Sequence, residues 1–157
     1  LGFTKNESDN GIRAILANFY LAEQPEKSIP LYEEMLIEKP KNIIFLNNLA
    51  WLNLEYGNLE QALNYSKMAI ELAPEIPNVI DTRGMALLKS GRKVDAWKTV
   101  LKAYNLTKGK DHSIALNYAE ILILNKELDG ASKVLSQVTS NNPEIIKRKN
   151  SLLDLTK

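Results

Sequence analysis

The chain has 157 residues, 20 of them basic and 19 acidic, for a formal net charge of +1. With the signs interspersed, this balance excludes the long-range field that draws a protein to nucleic acid or an anionic membrane surface. Hydrophobic residues make up 45% and charged residues 25%, ordinary globular usage and enough for one domain. There is no cysteine, so disulfides, thiolate catalysis and zinc–thiolate centres are excluded. No apolar run approaches the ~20 residues that cross a bilayer, so membrane insertion by this segment is not expected.

The chain opens on Leu1, and residues 1–8 read as the N-terminal leader of a larger protein. Four repeat units are expected after it, at 9–42, 43–76, 77–110 and 111–145, because small and turn-forming residues recur at one spacing. Pro40 and Pro74 stand 34 residues apart, Lys108 occupies the next such slot, and Pro143 follows 35 residues later. Gly57 and Gly91, Ala62 and Ala96, and Ala69 and Ala103 keep the same 34-residue step. A period of this length marks an array of helix–turn–helix units, stable only as a stack of about three or more.

Each unit divides into two apolar-periodic stretches joined by a short break. The breaks fall at Glu23-Gln24-Pro25, Tyr56-Gly57-Asn58, Ser90-Gly91-Arg92 and Asn125-Lys126-Glu127. Glycine is expected to leave the helix there through positive φ, and units one and four, which lack it, are expected to turn less ideally. In the first helix of unit two, Leu46, Leu49, Ala50 and Asn53 share one face. Second helices carry a small-residue stripe that permits close packing: Ala62, Ser66 and Ala69, then Ala96, Val100 and Ala103, then Ala131, Leu135 and Val138. Unit one carries the bulkier Ser28, Tyr32 and Met35. Pro40, Pro74 and Pro143 are expected to close second helices. Residues 146–157 are read as a capping helix and tail, with Ile145, Ile146, Leu152 and Leu153 on its apolar side; the alternative is the first half of a fifth repeat.

With these residues in view, the chain resembles tetratricopeptide-repeat (TPR) proteins over units one to four. The runs Asn47-Asn48-Leu49-Ala50-Trp51-Leu52, Glu71-Leu72-Ala73-Pro74 and Asp81-Thr82-Arg83-Gly84-Met85 are similar, more narrowly, to the C-terminal repeats of bacterial TPR lipoproteins of the exosortase/PEP-CTERM sorting system. The resemblance implies an all-α, right-handed α-solenoid of four TPR units with a C-terminal capping helix. It also implies a scaffold for protein binding in the bacterial periplasm or envelope, with the cytoplasm as the alternative. Arg83, Met85 and Asn53 depart from the narrower pattern. Arg83 either snorkels or pairs with a nearby carboxylate, or it forms with Asn53 a polar seam between units two and three.

Chemistry finds little support, and no catalytic, cofactor or metal site is expected. His112, the one histidine, sits between Asp111 and Ser113 at an expected helix start, where three successive residues cannot converge as a triad. Glu33, Glu34, Glu55 and Glu60 are isolated acids without metal-ligand spacing, and Lys89-Ser90-Gly91-Arg92 lacks the phosphate-loop pattern. Lys147-Arg148-Lys149 reads as a solvated helix face. The sequons at Asn6, Asn64 and Asn105 read as chance.

In TPR proteins the first helices line a concave groove. By register its lining here includes Arg13, Ala17 and Tyr20, then Asn47, Asn48, Trp51 and Leu54. It continues with Asn78, Asp81, Thr82, Met85 and Leu88, then Leu116, Asn117, Glu120 and Ile123. The groove residues singled out for a partner are Arg13, Asn47, Asn48, Trp51, Asp81, Thr82, Met85, Asn117 and Glu120. Asparagine amides serve an extended backbone whatever its sequence, and Trp51, Met85, Leu116 and Ile123 offer apolar anchoring. The competing reading is local capping for the amides and neighbour packing for Trp51 and Met85. The two-carboxylate clamp of heat-shock co-chaperone TPR domains is not matched: Asn48 and Arg13 fit it, but Ala17, Asn78 and Thr82 do not. The expected function is thus a non-enzymatic module binding a partner's peptide or helix in the groove, within an envelope or export assembly. The alternative is a solenoid segment that self-associates or spaces other domains.

Overall fold

The computed structural model describes the backbone of residues 5–157 and the side chains of residues 11–157. Of the expected leader, residues 1–4 lie outside the described residues, as do the side chains of the Asn6 sequon; residues 5–8 belong to the first helix. The described chain contains nine α-helices and no strand. They are α1 (Lys5–Glu23), α2 (Ser28–Glu38), α3 (Ile43–Tyr56), α4 (Leu59–Leu72), α5 (Pro77–Lys89), α6 (Lys93–Leu106), α7 (His112–Leu124), α8 (Leu128–Gln137) and α9 (Pro143–Asp154). A single 3-10 turn, Pro25–Lys27, links α1 to α2. The helices gather into two compact halves, one ending at Pro74 and the other beginning at Glu75.

The N-terminal half holds the hairpins α1–α2 and α3–α4. Its core joins Ala17, Tyr32, Met35, Leu49 and Leu52, with Phe45 and Tyr65 packed beside them. The Tyr32 ring lies 5.9 Å from that of Phe45, and its hydroxyl donates to Asn18 Oδ1 at 3.0 Å, so the buried phenol is satisfied. The C-terminal half holds α5–α6, α7–α8 and α9. Leu152 of α9, flanked by Ile145 and Leu153, completes the core of α7 and α8. Ile146, expected on the same side, remains 41% exposed.

Every residue of the four second-helix stripes is buried, from Ser28, Tyr32 and Met35 to Ala131, Leu135 and Val138. The closeness of the packing is sharpest at Gly84. A Cβ there would overlap Val100 Cγ2 of α6 and come within 3.2 Å of the Val100 backbone nitrogen.

The turns follow two different solutions. Gly91 takes φ +82° between α5 and α6, as expected, and Lys126 takes φ +63° at the corresponding place between α7 and α8. Gly57 does not: its φ is −128°. Its small size is needed because a Cβ would stand 2.6 Å from Asn53 Oδ1. Asn53 is buried at the end of α3, donating from Nδ2 to the Leu49 carbonyl at 2.9 Å and accepting at Oδ1 from the Asn58 amide at 3.3 Å. These bonds within the α3–α4 turn account for a polar residue in that slot.

Helix starts are capped by side chains that accept from first-turn amides: Asn42 from Phe45, Asn58 from Glu60, Asp111 from Ile114, and Asn142 from Glu144. Pro40 and Pro74 lie just past α2 and α4, as expected. Pro143 does not close α8, which ends at Gln137; it is the first residue of α9, where its missing N–H costs nothing.

Two substitutions probe these constraints in chemical denaturation. Lys126→Gly relieves a left-handed backbone and is expected to stabilise the C-terminal half by about 1 kcal/mol. Gly84→Ala is expected to destabilise it by about 1–3 kcal/mol through overpacking.

Candidate partner-binding site

The C-terminal half brings together three of the sequence-predicted groove residues, Asp81 on α5 with Asn117 and Glu120 on α7. A fourth member, Arg148 of α9, completes the set. Asn117 Nδ2 donates to Asp81 Oδ2 at 2.6 Å, and Asn117 Oδ1 accepts from Arg148 Nη2 at 2.7 Å. The same Arg148 nitrogen donates to Glu120 Oε2 at 2.7 Å. One amide thus reads a carboxylate on one side and a guanidinium on the other, and the chain of bonds ties α5, α7 and α9 together.

Arg148 was hidden in the sequence by its basic neighbours. The Lys147-Arg148-Lys149 cluster is not a uniformly solvated face: only Lys147 is exposed, and Lys149 Nζ donates to the Val138 carbonyl at 2.7 Å. Position was the available signal, since Arg148 is the sixth residue of α9 as Asn117 is of α7.

Asp81 is only 8% exposed, and its Oδ1 has no protein partner. Burial raises its carboxyl to about 7; the Asn117 hydrogen bond opposes the rise, the Asp111 charge adds to it, and the Arg148 charge opposes it. Thr82 is equally buried and its hydroxyl donates to the Asn78 carbonyl at 2.9 Å, so it is committed to the helix backbone. Met85 and Ile123 are half-buried.

In the N-terminal half, Asn47, Asn48 and Trp51 fall within one turn of α3. Trp51 is 41% exposed and stands edge-on to Tyr56, with ring centroids 6.2 Å apart. Asn48 hydrogen-bonds the Tyr32 hydroxyl, whose pKa burial raises and this bond lowers. Asn47 Oδ1 is buried without a protein partner. Arg13 is held on α2, its Nε 3.3 Å from Glu34 Oε2 and its Nη1 3.0 Å from Glu38 Oε1. Ala17, Leu54 and Leu116, expected in the groove lining, are core residues; Leu116 is wholly buried among α7, α8 and α9 side chains and offers no pocket. His112 begins α7 directly after its cap, Asp111.

Among the described residues, no group of three or more His, Asp or Glu side chains is placed to hold a metal ion. No described helix is long and apolar enough to cross a membrane.

No protein-family model matches the sequence, and no curated protein is significantly similar to it. Solved structures do match. TTC0263 of Thermus thermophilus, a thermophilic TPR protein, is similar with a TM-score of 0.80 at 20% identity, over 94% of this chain and 86% of that one. PilF of Pseudomonas aeruginosa is similar with a TM-score of 0.69 at 20% identity, over 94% and 72%. The O-GlcNAc transferase of Thermobaculum terrenum matches with a TM-score of 0.69 at 17% identity, over 98% of this chain but 27% of the enzyme. The chain therefore has the TPR fold.

The buried acid makes stability depend on pH. Asp81 holds its proton in the folded state up to about pH 7, whereas unfolding returns it to the ordinary value of 3.8. Its contribution is fully present below about pH 4 and is lost as pH rises through about 7. Denaturation of wild type and Asp81→Asn across this range should show the wild type losing on the order of a few kcal/mol relative to the variant. Parallel pH profiles would contradict the assignment.

Proposed function

We propose that the chain is a non-enzymatic protein–protein interaction module that binds a partner's peptide or helix in a groove lined by its first helices. The observation that carries the reading is Trp51, a large aromatic 41% exposed on a first helix and flanked by the amides of Asn47 and Asn48. An aromatic anchor beside groups that both donate and accept is the chemistry by which a polypeptide is held: area from the ring, register from the amides.

Within the C-terminal half, Met85, Asn117 and Glu120 offer the same kind of surface. Asp81 and Thr82 lie beneath it, and the role of Asp81 is to position Asn117 and, through it, Arg148. Arg13 sets polarity through its bridges to Glu34 and Glu38. The sequence resemblance favours a place in a bacterial envelope or export assembly.

The test is affinity capture from host lysate, quantified by mass spectrometry, with wild type and a folded Trp51→Ala variant. A protein enriched by wild type and reduced at least about tenfold with the variant is expected, the loss of one anchoring aromatic. Equal enrichment would contradict the proposed site. Concentration-dependent self-association without any captured partner would favour the alternative of a self-associating solenoid segment.

A further inference from the structure

The near-neutral charge of the chain is the sum of two unlike halves. Residues 1–74 carry 10 acidic and 6 basic side chains, and residues 75–157 carry 9 acidic and 14 basic ones. The contrast is sharpest on two second helices, at the same five slots of the repeat. On α2 these slots hold Pro30, Glu33, Glu34, Ile37 and Glu38. Two periods later, on α6, they hold Lys98, Leu101, Lys102, Asn105 and Leu106. Each set follows the spacing of one helix face, on the side away from the buried stripe.

Both faces are open. Ile37 stands 82% exposed among the three glutamates of α2. On α6 the five side chains line an open depression of about 440 Å³, with Leu106 43% exposed. Arg13 spans Glu34 and Glu38, so one guanidinium serves two of the three carboxylates. Glu75 meets Lys102 at 2.9 Å, while Lys98 adds a second cation to the face. The matching slots of α4 show no such bias, since Lys67 and Glu71 pair within the helix at 4.0 Å.

We propose that the outward face of α6 docks the outward face of α2 from a second copy of this chain. The glutamates meet Lys98 and Lys102, and Ile37 enters the depression beside Leu101 and Leu106. The occupant is identified by charge: the chain that carries the basic face also carries its acidic complement, in the same slots. Because the two faces differ, the contact is heterologous, and each copy in a pair keeps one face open for the next. Second helices make the whole contact, so it is independent of the first-helix groove. Exposed ion pairs select which faces meet more than they add affinity. The association is therefore weak, rises with protein concentration and falls with salt.

Sedimentation velocity of the 157-residue chain, over a range of protein concentration at low and high salt, tests this. Wild type should form dimers and longer species at low salt and dissociate at high salt. Lys98→Glu/Lys102→Glu should weaken the association at least about tenfold, and so should Glu33→Lys/Glu34→Lys. Mixing the two variants restores opposite signs at the contact, and the mixture should associate as wild type does. Matching thermal melts would show the variants folded; should a reversal unfold the chain, Lys98→Gln/Lys102→Gln reads the same contact and should also weaken it. Trp51→Ala, which removes the groove anchor, should associate as wild type does. Wild type that stays monomeric, variants that associate unchanged, or a mixture that stays apart would overturn the proposal. So would loss of association with Trp51→Ala, because the contact would then lie in the groove.

Discussion

How closely two helices of a hairpin can approach is the constraint on which the structure depends. At Gly84 there is no room for a single carbon between α5 and Val100 of α6. The buried stripes of alanine and serine on α4 and α6 meet the same requirement. Helices of 10–14 residues, as α3 to α9 are, gain little stability alone. Close approach lets each contribute a large fraction of its surface to its neighbours, and small side chains make that approach possible without strain.

The same constraint explains which parts of the architecture were legible in the sequence. Small residues at a fixed period have few alternative explanations, so the stripes of α4 and α6 could be read, and counting by the same period found the bulkier ones of α2 and α8; all four are buried. Punctuation was less legible, because one residue type serves two purposes. Proline fits just past a helix end and also as a first helical residue; Pro40 takes the first role and Pro143 the second. Glycine supplies positive φ at Gly91 but bare space at Gly57, where the buried amide of Asn53 needs room to bond the turn.

The site was legible in composition and blurred in register. Adjacent residues on a helix point about 100° apart, so Leu116 belongs to the core while its neighbour Asn117 reaches Asp81 and Arg148. Arg148 was missed because α9 was read chiefly as a cap. In the fold it meets α7 as α7 meets α5, and its guanidinium ends the chain of bonds that begins at Asp81. The bonds made by Asn117 hold α5, α7 and α9 in register, while Asp81 contributes a desolvation cost of its own. A buried acid is tolerated here because it is neutral over much of the accessible pH range.

The central claim is that first helices, not second helices, carry the partner. Peptides selected against the chain from a random library, then titrated into isotopically labelled protein, test it residue by residue. The account predicts that chemical shifts move at the Trp51 indole and at the side-chain amides of Asn47, Asn48 and Asn117. Shifts confined to the outward faces of α4, α6 and α8 would contradict it.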